Sequence, residues 1–267
     1  MVTSVGLDDP LYQREKFVDG PIFPEQKNKV QISEKAKANR MIAAGLERSQ
    51  LIEEYRRIKR PLLNNVAAVG ATVVDNASLI MVTSSVPDEG KTFTAVNLAM
   101  SIAMERDKAV LLVDADVAKP SISALLGIES EVGLVDYLTG EVPSLSDLIL
   151  STDVPNLRIL PAGRTHPHAT ELLSSASMRD MMREFSSRYE DRIVIFDSPP
   201  LLAANEAAVL AELMGQIVLV VEAEKSRQAG VLEALALLNP DQIIGLVLNK
   251  CRQPSKEDYY SGYYGYG

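Results

Sequence analysis

A glycine, a lysine and a threonine in succession at the end of an apolar run are placed to hold an anion. In "SLIMVTSSVPDEGKTFTAVNLAMSIA" a strand-like segment passes through the polar turn Pro87, Asp88, Glu89, Gly90 into Lys91, Thr92, Phe93 and a helix-like stretch. Such a turn points backbone N–H groups and a helix N-terminus at a phosphate. Gly90 admits close approach, Lys91 neutralises the outer phosphate oxygens, and the Thr92 hydroxyl can ligate Mg²⁺. The usual pattern has another glycine five residues before Gly90, where this chain has Ser85. Taken alone, the stretch also reads as a plain strand–turn–helix with an exposed lysine.

Two further strand ends bear on that choice. "AVLLVDADVAKP" ends its apolar run in Asp114-Ala-Asp116, and "RIVIFDSPP" ends its run in Asp197. Ligands of parallel sheets bind at the carboxyl ends of strands, so all three aspartates are expected to face the phosphate loop. Carboxylates gathered there repel one another unless a cation joins them, and Mg²⁺ on a triphosphate supplies it. The competing role for each is a turn or cap residue, common after strands. Three coordinated strand ends favour the nucleotide site.

The elements that must position these groups alternate. Apolar runs at 78–83, 109–114, 157–162, 192–197, 216–223 and 243–249 read as strands, and 92–106, 170–187, 206–214 and 227–238 read as helices between them. Nearly continuous apolar strands separated by helices specify a mostly parallel sheet covered on both faces. The fold expected is α/β, a P-loop NTPase with its sheet sandwiched between helices, an N-terminal helical extension and a flexible C-terminal tail. Residues 1–30 carry five prolines or glycines and no periodicity, and read as a flexible leader. The domain then spans 31–252, including a helix over about 32–63 with a break at Gly45 and a limit at Pro61. Residues 253–267 form a tyrosine-rich tail. The Met100/Met104 and Met178/Met181/Met182 groups are helix-spaced core filler. His166 and His168 flank a proline and read as loop residues near the phosphate face, without the company a zinc site needs.

Composition narrows the function. A net charge of -9 and a pI of 4.9 argue against a nucleic-acid binder. The lone Cys251 excludes a disulfide framework and fits a reducing compartment, as a small apolar residue near a strand end. No apolar run reaches the roughly 20 residues that span a bilayer, so the chain is expected in the cytoplasm, meeting a membrane only through a partner.

The phosphate loop, "LLVDADVAKP", "PAG" followed by "ELLSS", "FDSPP" and the terminal tyrosines resemble, in order, the bacterial protein-tyrosine kinases of exopolysaccharide and capsule export. The likeness covers about residues 45–267 and is closest to the stand-alone exosortase-associated tyrosine autokinases. It implies ATP and Mg²⁺ as cofactors, and phosphorylation of tyrosines in one another's tails. Lys91 and Thr92 match the family's phosphate and metal contacts. Asp114 and Asp116 match its paired aspartates for metal binding and acceptor activation, and Asp197 its Walker B aspartate. Where the family commonly has an arginine two residues after the second aspartate, this chain has Ala118 beside Lys119, whose point charge does not reproduce a guanidinium fork. An asparagine closing the last strand meets adenine in related ATPases, which makes Asn249 a base contact. A glutamate and two arginines spaced three apart serve subunit contact in the family; "EEYRRIKR" offers Glu54, Arg57 and Arg60, or in the other register Glu53, Arg56 and Lys59. Implied partners are other copies of the chain, an inner-membrane chain-length determinant and a cognate tyrosine phosphatase.

Five of the nine tyrosines, Tyr259, Tyr260, Tyr263, Tyr264 and Tyr266, are crowded into the tail. A tyrosine hydroxyl has a pKa of about 10 and needs a carboxylate or a metal's field to attack phosphorus at neutral pH. Asp114 is the first choice for that carboxylate and Asp116 the second. Glycine and serine between the tyrosines let different hydroxyls enter one groove. The competing role is an aromatic end that docks on a partner. Two other functions stay open: a MinD/ParA-like positioning or partition ATPase, and a nucleotide-binding regulator phosphorylated by another kinase. The former carries a lysine where this chain has Val86.

Overall fold

The computed structural model describes residues 29–42, 49–68, 74–188 and 192–252. Gly45, the leader before residue 29 and the tyrosine tail lie outside the described residues.

Among the described residues the strands are β1 (Lys29–Val30), β2 (Leu79–Ser84), β3 (Ala109–Asp114), β4 (Leu150–Thr152), β5 (Leu157–Leu160), β6 (Arg192–Asp197), β7 (Gln216–Glu222) and β8 (Ile243–Asn249). They form one sheet in the order β1-β4-β5-β3-β6-β2-β7-β8. All six expected strands are present. Every neighbour pair is parallel except β4 with β5. That hairpin is closed by Thr152, whose hydroxyl donates to the Val154 and Leu157 carbonyls. Neither β1 nor β4 reaches the length at which apolar periodicity can be read.

The helices are α1 (Ser33–Ala38), α2 (Gln50–Val66), α3 (Lys91–Ala103), α4 (Ile122–Leu126), α5 (Leu134–Leu138), α6 (Ala169–Leu172), α7 (Ala176–Arg188), α8 (Asn205–Ala211) and α9 (Gln228–Ala236). One layer, with α2 and α3, buries Ile52, Tyr55 and Leu98 against Ile80, Val110 and Ile195. The opposite layer, with α7 and α8, buries Met178, Phe185 and Leu210 against Met81, Val194 and Phe196. The sheet is therefore apolar on both faces, as parallel strands require.

Three local readings change. The segment expected as a helix over 32–63 with a break at Gly45 is two helices, α1 and α2, on either side of that position, but Pro61 lies inside α2 rather than ending it. Pro61 is exposed, so water can satisfy the carbonyl that loses its N–H donor. Ser49 starts α2 by accepting a hydrogen bond from the Ile52 amide, 3.2 Å. The helix expected over 170–187 breaks between α6 and α7, where the Ser175 hydroxyl accepts from the Met178 amide at 3.1 Å. Met100, Met178, Met181 and Met182 are core, but Met104 is half exposed just past the end of α3.

Candidate active site

The sheet order explains why distant residues meet. β6 lies between β2 and β3, so the loop after β2 and the carboxyl ends of β6 and β3 are consecutive. Asp114 and Asp197 are register partners in the β3–β6 ladder, and Asp197 is also level with Val82 of β2.

Lys91 opens α3 behind Gly90, whose φ of +95° is a left-handed conformation that glycine adopts without penalty. A Cβ on Gly90 would stand 2.1 Å from Asn249 Nδ2. Ser85, by contrast, is not among the described residues with positive φ, so the missing glycine of the usual pattern costs this loop nothing. The Lys91 ammonium is buried and donates to Asp116 Oδ2 at 2.6 Å, with Asp197 Oδ1 at 3.9 Å. Burial works against its charge, but Asp197, Asp116 and Asp114 outweigh that and raise its pKa.

The three carboxylates differ in their partners. Asp116 is held by Lys91 and by the Lys119 amide. Asp114 Oδ2 accepts from the Ser121 and Ile122 amides, while its Oδ1 is buried with no hydrogen-bond partner. Neither oxygen of Asp197 is closed by a hydrogen bond of good geometry, although the nearby Thr92 hydroxyl and the Lys91 charge pull its pKa down. Burial dominates nonetheless: it raises Asp114 to about 7, assisted by Asp197, and Asp197 to about 6.

A cavity of ≈ 550 Å³ opens above these groups, lined among others by Pro87, Lys91, Thr92, Asp116, Lys119 and Lys250. Ala118 also lines it. Asp116 borders this cavity; Asp114 and Asp197 are not among its lining residues. The turn from Asp116 to Lys119 holds Asp116 beside the cavity, while Asp114 accepts from the amides at the start of α4. A second cavity of ≈ 520 Å³ lies between α2 and β8, bordered by Tyr55, Phe93 and Asn249. Phe93 and Lys250 border both.

Other expected residues take unexpected partners. The Glu89 side chain is buried and turned from the cavity, accepting from the Val86 amide and the Ser226 hydroxyl. Only its backbone belongs to the phosphate loop. Asn249 donates to the Glu89 carbonyl at 2.9 Å. Cys251 is exposed rather than packed as an apolar residue. His166 and His168 are loop residues, with the His168 amide donating to His166 Nδ1. Sequence reasoning missed Ser121, whose hydroxyl is 3.1 Å from that of Thr92, and Lys250.

On α2, Lys59 is buried, donating to the Ser101 carbonyl and pairing with Glu105 at 2.6 Å. It is unavailable to another subunit. Glu54, Arg57 and Arg60 are all exposed, which leaves that register as the one able to form an outward charged stripe. The tail tyrosines lie outside the described residues.

The model of the AAA domain family matches residues 78–241. The tyrosine-protein kinase YwqD of Bacillus subtilis (strain 168) is 34% identical over 216 residues, 80% of this chain and 86% of YwqD. This chain belongs to the bacterial tyrosine-protein kinases. The kinase domain of Escherichia coli tyrosine kinase ETK superposes on the kinase with a TM-score of 0.63 at 25% identity, over 85% of this chain and 92% of that one. The tyrosine-protein kinase Wzc of Salmonella typhimurium (strain LT2) is 30% identical over 86% of the kinase, which spans only 31% of Wzc. That membership sets phosphoryl transfer to tyrosine above the MinD/ParA-like switch. Among the described residues of the kinase no helix is long and apolar enough to cross a membrane.

Proposed function

We propose that this kinase transfers the terminal phosphate of magnesium ATP to the tyrosines of its own C-terminal cluster, Tyr259 to Tyr266. The observation that carries the reading is the set of buried carboxylate oxygens without hydrogen-bond partners, on Asp114 and Asp197, beside the one lysine of the phosphate loop. Buried, unpaired carboxylate oxygens are costly unless a cation completes them.

The residues fit such a cation. Among the described residues no three histidine, cysteine or acidic side chains form a closed metal-binding cluster, so the ion would complete its shell from phosphate oxygens and water, as Mg²⁺ ordinarily does. Thr92, Asp114 and Asp197 would hold it, Asp116 standing at the rim as a further ligand. Bound there, Mg²⁺ neutralises charge on the transferred phosphoryl group. The loop amides and Lys91 grip the phosphates, and the adenine lies toward Phe93 and Asn249. Asp116 accepts the tyrosine proton as the phenolic oxygen bonds to the terminal phosphorus and ADP departs.

The partners follow from the same reading. Glu54, Arg57 and Arg60 dock a second copy, whose tail enters the cavity. An inner-membrane chain-length determinant holds the kinase at the membrane, a tyrosine phosphatase resets the tail, and the cycle governs exopolysaccharide chain length and export.

Purified protein incubated with Mg-ATP tests this by mass-spectrometric mapping. Phosphate should appear on Tyr259–Tyr266 and disappear in Lys91→Met. Phosphate that appears only when another kinase is supplied would make the chain a regulator instead.

A further inference from the structure

Residues 88–90 of the phosphate loop divide their backbone groups by direction. Each carbonyl is occupied: that of Asp88 by the Lys250 ammonium at 2.6 Å, that of Glu89 by the Asn249 amide at 2.9 Å, and that of Gly90 by the Thr94 amide and hydroxyl, both at 3.0 Å. The amides of Asp88, Glu89 and Gly90 donate to no protein acceptor among the described residues. A peptide plane whose carbonyl is held on one side must present the N–H of the next residue on the other. Pinning the Asp88 and Glu89 carbonyls therefore orients the Glu89 and Gly90 amides.

Lys250 is itself held. Its φ is +56°, a conformation that is unfavourable for a residue with a Cβ, and its ammonium also pairs with Glu222 at the end of β7, 3.1 Å. That pairing, followed by the one with Lys225, holds the Glu222 carboxyl below its usual range. A strained backbone at this position persists because the surroundings over-determine it. The charge of Lys250 is largely answered by Glu222, so what remains for it at the loop is direction rather than net field.

Resting on the reading of this loop as a nucleotide phosphate site, we infer that Lys250, with Asn249, is a positioning residue. It ties the phosphate-loop carbonyls back to the end of β8 so that the loop amides are preorganised toward the phosphates. Asn249 then serves the phosphates through the loop as well as any base that lies beside it. The tie acts on the phosphate part shared by all nucleotides and is indifferent to the base.

Equilibrium titration of the full chain with fluorescently labelled ADP and GDP in the presence of Mg²⁺ tests the inference. Lys250→Gly suits the left-handed backbone and deletes the ammonium. It should keep its melting temperature near that of the wild type while weakening both nucleotides by the same factor, about tenfold for one charge-assisted hydrogen bond. Lys250→Arg should restore most of the affinity, and Glu222→Gln should leave it unchanged or weaker. Wild-type affinity in Lys250→Gly, or a changed preference between ADP and GDP, would overturn the inference. So would tighter binding in Glu222→Gln, which would make Lys250 a direct phosphate ligand freed from its partner. If the wild type itself bound neither nucleotide, the failure would lie with the phosphate site and not with the tie.

Discussion

Asp114 and Asp197 stand opposite one another in adjacent parallel strands, both fully buried. Their pKa values of about 7 and about 6 lie above those of a carboxylate in an unfolded chain. At these two positions the folded protein thus binds more protons than the unfolded one between about pH 4 and pH 7, so they contribute stability at low pH that is lost as pH rises through their folded pKa values. Asp197→Asn should therefore raise the melting temperature more at pH 8 than at pH 5, in thermal denaturation without nucleotide. Mg-ADP should stabilise the wild type more than this variant.

Gly90 permits two things at once, a left-handed turn and the approach of Asn249. Gly90→Ala meets the backbone penalty of about 1–2 kcal/mol and a contact of 2.1 Å with Asn249 Nδ2. Calorimetry should show a lowered melting temperature, and nucleotide titration a loss of affinity larger than the stability change accounts for.

The exposed stripe of Glu54, Arg57 and Arg60 carries charge of both signs, which a second copy can meet reciprocally. Arg57→Glu combined with Arg60→Glu should shift the sedimentation coefficient toward the monomer and slow tail phosphorylation, with little effect on nucleotide affinity. Arg56→Glu should do less, because Arg56 pairs with Glu53 on its own helix.

Phosphorylating all five tail tyrosines adds about -8 to -10 charges to a chain whose net charge is -9. The modified tail should leave a neighbour's acidic site and the assembly should loosen. Analytical ultracentrifugation of fully phosphorylated and unmodified protein reads this as a fall in mean mass, and an unchanged assembly would contradict it.

The phosphate loop and the long strands were legible because buried parallel strands are apolar without interruption and end in the residues that do chemistry. Shorter elements were not: two- and three-residue strands such as β1 and β4 offer no period, and α4 is a single turn capped by Asp114 from another strand. Pro61 misleads because an exposed proline is tolerated where water serves the freed carbonyl. Asp114 and Asp116 take different partners from the turn that follows them, and no spacing encodes that. Lys250 reaches Asp88 and Glu222, and the Ser121 hydroxyl reaches that of Thr92, each more than 25 residues away in sequence, so only the folded chain brings them together. Lys59 looks like a surface lysine in the helix pattern and is an internal strut between α2 and the end of α3.

The most direct test is the single-turnover rate of phosphate transfer from labelled ATP to tail tyrosine in the wild type, Lys91→Met, Asp116→Asn and Asp197→Asn, each first shown to be folded. One shared site predicts that each variant loses about 100-fold or more, as removal of a transition-state electrostatic contact does. Wild-type rates in Asp116→Asn or Asp197→Asn would contradict it, since the carboxylates would then be structural and the transfer would occur elsewhere.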